Sequence, residues 1–411
     1  MSLLTRLLVL SLPTQTLSFV ASNPSNMSSM AKGAAATATA AAVSVQGTRT
    51  FAGSKNALHT TASTTANNTT ATCSSSLAAN IPSLNPTSVA IIEKAGGTIV
   101  PLDPIGAEVY GVDLRGSTPP APEVLDALAH EMATRGFLVF KNNSDLDVDE
   151  LLRACCWWGG HEMHSTHGVH PATPGGNHHI FRLSNDQRHG ILGVGPQWHN
   201  DGSFCAGPFS HVAYHIIRPA EKGGGTHFCH QGAAFDALPL ERQEFWSRLT
   251  SVNSNGGVAH PAVHLHPVTK RKSVYLHLGM TGAVVEKLPK DDSFRLLNVF
   301  EMKRLFNEYN DLLIAGFGDG YAISYEYQNG DCIFVDNLAV AHRASPEAHL
   351  PASTQGLRIM HRATVRAPAH LEPDFGLPQF LNIDGPSPFG DGVWNGGGLG
   401  FRWDDNIHMQ N

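Results

Sequence analysis

The chain has 411 residues, 42% hydrophobic and only 15% charged, with 28 basic and 35 acidic side chains for a formal net charge of −7. This length supports one large core or two medium ones. The acidic balance argues against a nucleic-acid binder, and no apolar run reaches the roughly 18 residues of a stable membrane span. Six cysteines without a C-x-x-C spacing read neither as a disulfide framework nor as a zinc knuckle. The 23 histidines point instead to a metal site, since imidazole is the commonest metal ligand.

No Asp or Glu precedes Glu93, and residues 1–88 are mostly Ala, Ser, Thr and Asn around Arg6, Lys32, Arg49 and Lys55. Too few large apolar side chains are present to offset chain entropy, so this segment is read as a disordered leader. Arg6 followed by Leu7-Leu8-Val9-Leu10-Ser11-Leu12 has the form of a signal-peptide apolar region, and the hydroxyl-rich stretch behind it that of a transit peptide. The pair resembles the bipartite leaders of algae with secondary plastids, with Phe19 at the first cleavage point. A plastid destination is therefore expected ahead of a mitochondrial one.

The folded part is expected over 89–370, with a Gly-, Pro- and Trp-rich tail over 371–411. Glu108–Asp113 reads as a strand and Pro122–Arg135 as an amphipathic helix presenting Val124, Leu125, Leu128 and Met132. Phe137–Phe140 follows as a buried strand and Asp147–Trp158 as a second helix. Further on, His211–Ile217, Val274–Leu278, Tyr321–Tyr327, Cys332–Val335 and Leu357–Val365 are strands; Leu240–Leu249 and Asp292–Asn310 are helices. Many short strands with long insertions, no sustained β-α-β rhythm and no G-x-G-x-x-G fit a mainly β jelly roll, a double-stranded β-helix, with helices packed outside.

The chemistry begins at Trp198-His199-Asn200-Asp201. On extended chain, positions i and i+2 point to one side, so His199 and Asp201 can reach one metal ion. A facial triad of two histidines and a carboxylate needs a second imidazole from elsewhere and leaves positions open on iron. His342 follows the strand ending at Val335, and Arg358 follows sixteen residues later. An arginine there can clamp a carboxylate through two parallel N–H bonds. Thr226, behind Gly223-Gly224-Gly225, can add a hydroxyl to that clamp.

In this set the sequence resembles the taurine dioxygenase family of Fe(II)- and 2-oxoglutarate-dependent dioxygenases. The matching segments are Ile105–Asp113, Trp198–Asp201, Gly223–Pro239, the pairs His260-Pro261 and His266-Pro267, Asn329–His342 and Arg358–Arg362. The resemblance implies that His199, Asp201 and His342 hold Fe(II). It assigns Thr226 and Arg358 to the distal carboxylate of 2-oxoglutarate, and Arg362 and His164 to the prime substrate; the alternative for Arg362 is a pairing with a structural carboxylate. The implied partners are a small, anionic molecule and O2, with succinate and CO2 as co-products; a homo-oligomer is left open. A carboxylate at Asp201, where halogenating relatives carry a small residue, implies hydroxylation. Gly195 and Met280 depart from the polar and aromatic substrate contacts of taurine enzymes, which implies a substrate other than taurine.

Two rivals use the same residues: a catalytically silent β-helix that binds a small molecule, and a zinc hydrolase. Other pairings read as structural. His178-His179 and His167–His170 are loop histidines, Cys155-Cys156-Trp157-Trp158 is a helix face, and His227, Cys229 and His230 fit no common zinc spacing.

Overall fold

A computed structural model of the chain describes residues 81–158, 168–254, 257–290, 293–367 and Leu371. In chain order the elements are α1 (Pro86–Lys94), β1 (Thr98–Pro101), β2 (Ala107–Tyr110), α2 (Pro122–Arg135), β3 (Phe137–Phe140), α3 (Val148–Cys155), β4 (Phe181–Ser184) and β5 (Phe209–Arg218). The middle of the chain supplies β6 (Thr226–His230), α4 (Gln231–Ala237), α5 (Leu240–Ser247), β7 (Leu249–Asn253), β8 (Ala259–Pro261), β9 (Val263–Leu265), β10 (Lys272–Val274), β11 (Thr281–Lys287) and β12 (Phe294–Leu296). Then come α6 (Val299–Asp319), β13 (Ala322–Tyr325), β14 (Cys332–Asp336), β15 (Val340–Ala344), α7 (Ala352–Gln355) and β16 (Ile359–Arg366).

Seven strands form the major sheet in the order β1-β2-β3-β14-β5-β16-β4, and β13-β6-β15 form a minor one. Alternation along β14 shows how the layers arise. Ile333 and Val335 point inward with Phe137, Tyr214 and Met360, where they meet Phe228 and Val340 of the minor sheet. Phe137 and Phe228 stack across this interior with ring centroids 4.5 Å apart. Cys332 and Phe334 point the other way, onto a second apolar layer that includes Leu128 and Met132 of α2 and Leu151 of α3. The outer side of the minor sheet is covered in turn by α4 and α6, through Phe235, Phe306 and Tyr309. The result is the expected jelly roll, two sheets face to face with helices outside.

Local signals set several boundaries. Asp147 caps α3 by accepting from Glu150 N at 2.7 Å, and Glu150 accepts from Asp147 N at 2.9 Å, a reciprocal capping box. The same arrangement of Asn298 and Glu301 starts α6, which corrects the helix expected over 292–310. Phe294–Leu296 is instead a strand pairing with β11, and the helix begins only behind the Asn298 cap. Leu249, expected as a helix end, opens β7. The boundary at 88 also moves. Asn85 caps α1, and its N–H donates to Glu131 Oε1 at 3.1 Å, while Arg135 Nη1 donates to Pro82 O at 2.8 Å. Part of the segment read as leader, from Ile81, therefore belongs to the fold. Residues 1–80 and 372–411 lie outside the described residues, and so do the leader's cleavage points. Among the described residues no helix is long and apolar enough to cross a membrane.

Candidate metal centre

His199 and His342 face each other across an isolated antiparallel bridge, each N–H donating to the other's carbonyl at 3.0 Å. Their rings lie 4.3 Å apart between centroids. Asp201 joins them, its Oδ2 lying 3.6 Å from His342 Nε2. One ligand atom from each of the three residues lies within 4.8 Å of the others, and all three side chains are buried.

The fold holds this set from behind. Asn200, between the two ligand-type residues, points away and donates to Asn337 O at 2.6 Å and Gln231 Oε1 at 2.8 Å. Asn337, in the turn between β14 and β15, accepts from Asp201 N at 2.8 Å and donates to Asp201 O at 2.8 Å and Phe209 O at 2.7 Å. Asp336 fixes that turn by accepting from Leu338 N and Ala339 N, and His266 Nε2 lies 3.1 Å from its other oxygen. The paired His-Pro segments thus serve as anchors, and His260 Nε2 is likewise 3.1 Å from Ser203 O.

The donor set fits a divalent cation. His199 Nδ1 lies 2.7 Å from Gln197 O, so it carries the proton and leaves Nε2 as a lone-pair donor. Asp201 Oδ2 is buried without a hydrogen-bond partner, and such an orphaned atom is costly unless something binds there. Burial, then His342 and His277, keep His199 well below the usual imidazole range and hence neutral. Burial opposes ionisation of Asp201, but the Arg362 guanidinium and the two imidazoles outweigh it and hold its carboxyl far below the usual range.

Thr226 and Arg358 line one pocket with His199, His342, Tyr214 and Arg362. Arg358 Nη1 donates to Gly224 O at 2.8 Å and Nη2 to Ala348 O at 3.2 Å. Among the described residues no carboxylate pairs with it, so a half-buried cation is left at the pocket wall. The glycine run before Thr226 is needed for close approach, since a Cβ on Gly225 would lie 2.2 Å from Tyr325 O. Gly195 has a left-handed φ of +71°, and a Cβ there would come within 3.0 Å of His199 Cε1. Its departure from a polar contact thus has a local steric reason.

Arg362 makes the carboxylate pairing that was the alternative to a substrate contact. It lines the pocket, but Nη1 donates to Asp201 Oδ1 at 2.9 Å, and its guanidinium stacks 4.8 Å from the Phe181 ring centroid. Serving the prime substrate alone is therefore not its whole role. His164 lies within 159–167, outside the described residues. Asn337, Gln231 and Tyr327 went unnoticed in the sequence; their partners lie from 31 to 136 residues away, beyond any local pattern. The structural readings hold elsewhere. His230 Nδ1 accepts from Ala233 N at 3.1 Å as a helix cap, and His227 Nδ1 accepts from Arg343 Nε at 3.2 Å.

A family model described as "Taurine catabolism dioxygenase TauD, TfdA family" matches residues 98–364. The chain is 26% identical over 283 residues to the alpha-ketoglutarate-dependent sulfonate dioxygenase of Saccharomyces cerevisiae, covering 63% of this chain and 65% of that relative. It thus spans just under two thirds of the relative's length. Among solved structures, AAD-2 in complex with Mn(II) and N-oxalylglycine aligns with a TM-score of 0.53 and 22% identity, over 67% of this chain and 98% of that one. A putative alpha-ketoglutarate-dependent taurine dioxygenase from Burkholderia xenovorans aligns with a TM-score of 0.53 and 18% identity, over 68% and 92% of the two chains. These likenesses agree with the jelly-roll architecture.

Proposed function

Because the chain belongs to the taurine catabolism dioxygenase TauD, TfdA family, we propose that it is an Fe(II)- and 2-oxoglutarate-dependent dioxygenase hydroxylating a small organic anion. The observation that carries this reading is the buried His199, Asp201 and His342 set, opening onto the pocket where Arg358 has no acidic partner among the described residues. His199, Asp201 and His342 would hold the iron, leaving other positions free for exogenous ligands. Bound iron supplies, with 2-oxoglutarate and O2, the oxidising power for C–H hydroxylation, with succinate and CO2 as co-products.

The chain's own residues position and discriminate. Arg358 and Thr226 take the distal carboxylate of the co-substrate, and a planar guanidinium fixes its direction as well as its charge. Arg362 keeps Asp201 ionised and oriented, and its Nε, buried without a partner, remains for the anionic group of the prime substrate. Burial of the three ligand residues keeps bulk water from the reacting bond and strengthens each charge contact. The substrate class is a sulfonate or a carboxylate, a choice supported by the named activity of the yeast relative and by the two pocket arginines.

The decisive experiment is succinate release by the full-length chain with Fe(II), 2-oxoglutarate and O2, against sulfonates, sulfate esters and carboxylates. Substrate-dependent succinate with a hydroxylated product is expected. No release with any anion, while metal and 2-oxoglutarate both bind, would leave the silent binder instead. The leader reading joins this proposal: the segment before Ile81 addresses the protein to a plastid, supported by Arg6, the apolar Leu7–Leu12 run and the lack of acids. A fluorescent fusion of residues 1–90 that stays in the cytosol would end it.

A further inference from the structure

Tyr327 brings a second hydroxyl to Thr226, which lines the same pocket as Arg358. The fold makes the meeting unavoidable. Thr226 opens β6 and pairs with Tyr325 of β13, and the close approach is the one that Gly225 permits. Tyr325 and Tyr327, two apart on extended chain, lie with ring centroids 6.0 Å apart. Tyr325 is tethered by its hydroxyl to Asp331 Oδ2 at 3.1 Å. Tyr327 instead directs its hydroxyl at Thr226 Oγ1, in a short hydrogen bond in which either oxygen can donate. Among the described residues neither hydroxyl has another hydrogen bond. Burial pushes the Tyr327 phenol up to about 12, with Thr226 and Arg358 drawing it back, so it is a neutral O–H at physiological pH.

Two hydroxyls share two protons, and only one proton occupies the bond between them. With Thr226 donating, the pocket would face threonine lone pairs, which repel an anion. With Tyr327 donating, the threonine proton is free to turn into the pocket, and its O–H is polarised by the bond it accepts. A carboxylate held by Arg358 selects the second arrangement. We propose that Tyr327 is a positioning residue for the co-substrate, donating to Thr226 Oγ1 so that the threonine proton meets the distal carboxylate beside Arg358. This rests on the 2-oxoglutarate reading above. Tyr327 acts through Thr226, so its worth should vanish when the threonine hydroxyl is gone.

The test is anaerobic titration of the full-length Fe(II) protein with 2-oxoglutarate, followed by the metal-to-ligand absorption band. Tyr327→Phe, which keeps the ring, should raise the dissociation constant about three- to tenfold, the worth of one neutral hydrogen bond. Thr226→Val should weaken binding at least as much, and the double variant no more than Thr226→Val alone. With 2-oxopentanoate, which has a methyl in place of the distal carboxylate, wild type and Tyr327→Phe should bind alike. Losses that multiply in the double variant, or a Tyr327→Phe effect of equal size with 2-oxopentanoate, would overturn the proposal and leave the tyrosine a packing residue. A wild-type affinity in Tyr327→Phe would overturn it too. No band in the wild-type chain would remove the co-substrate reading, and this inference with it.

Discussion

Arg362 Nη1 donates to Asp201 Oδ1 at 2.9 Å, while Asp201 Oδ2 faces His342 Nε2 at 3.6 Å with no donor of its own. One buried carboxylate is thus shared between a fixed cation and the place where a second cation would sit. The guanidinium keeps the carboxyl ionised without occupying the oxygen nearest the histidines. Arg362 therefore links metal readiness to the pocket wall, a coupling absent from any reading that gives it only to the substrate.

Replacing Arg362 by Met should leave Asp201 as an unpaired buried charge. Breaking a buried pair in this way costs about 3–5 kcal/mol, so the metal-free variant should melt well below wild type. A bound divalent cation restores the missing positive charge. The rise in Tm on adding Mn(II) should then be larger in the variant than in wild type. An equal or smaller rise would show that Arg362 does not stabilise Asp201.

Among the described residues Arg358 has only carbonyl partners, Gly224 O and Ala348 O, and its charge is open to an anion. Lysine keeps the charge but loses the fork. Arg358→Lys should weaken 2-oxoglutarate binding by about tenfold or more, the worth of one charged hydrogen bond, with Fe(II) affinity unchanged. Anaerobic titration of both ligands checks it, and unchanged 2-oxoglutarate affinity would reassign the clamp.

Asn337 satisfies the N–H and C=O of Asp201 and the C=O of Phe209. Asn337→Leu removes three hydrogen bonds in a fully buried site and leaves Asp201 O with the Tyr275 hydroxyl, 3.3 Å away, as its remaining donor. Each hydrogen bond lost there costs about 1 kcal/mol or more, so urea unfolding should show a loss of roughly 3 kcal/mol. Fe(II) affinity should fall with it, because the Asp201 backbone loses its anchor. A variant as stable as wild type would mean that the turn is held by Asp336 alone.

Several buried histidines outside the metal set set the acid limit. Burial, with His266 nearby, lowers His264 to about 4. Burial, with Arg271 and His266, lowers His230 to about 3. Burial, with Arg182 and His215, lowers His361 to about 3. In the unfolded chain each takes up a proton near pH 6.5 that the folded form refuses. Their contribution is complete above about pH 6.5 and is lost as pH falls toward the folded values. Urea midpoints of the metal-free protein should change little from pH 7.5 to about pH 6.5 and drop steadily from there to pH 5. A flat profile would contradict the neutral burial of these rings.

The N-terminal limit of the fold is equally testable. A chain starting at Ser88 loses the Asn85 cap of α1, the Asn85–Glu131 bond and the Pro82 carbonyl that Arg135 holds. It should melt measurably lower than a chain starting at Ile81, by about 1–3 kcal/mol of unfolding free energy. Equal stability would restore the boundary read from composition.

Much of the fold was legible wherever local pattern and tertiary outcome agree. Pro122–Arg135 announced itself by apolar spacing and Phe137–Phe140 by a buried run, and both appear with those bounds. The H-x-D pair, His342, Thr226 and Arg358 stood out because the order and spacing of their motifs resemble the family's, and the fold brings them to one pocket. By contrast, Thr226–His230 was not among the strands expected from the sequence. It is the central strand of the minor sheet, because β13 and β15 satisfy its backbone on both sides. The strand at Phe294–Leu296 hid inside a helical pattern until β11 claimed it. Arg362 shared a strand face with Arg358 in any reading of alternation. That it turns onto Asp201, 161 residues earlier, was decided by packing over Phe181 and by the cost of leaving a buried carboxylate unpaired. The sequence alone determined which groups were available and in what order. Only the tertiary structure decided which buried charges and hydroxyls must satisfy one another, since those partners are set by contacts across more than a hundred residues.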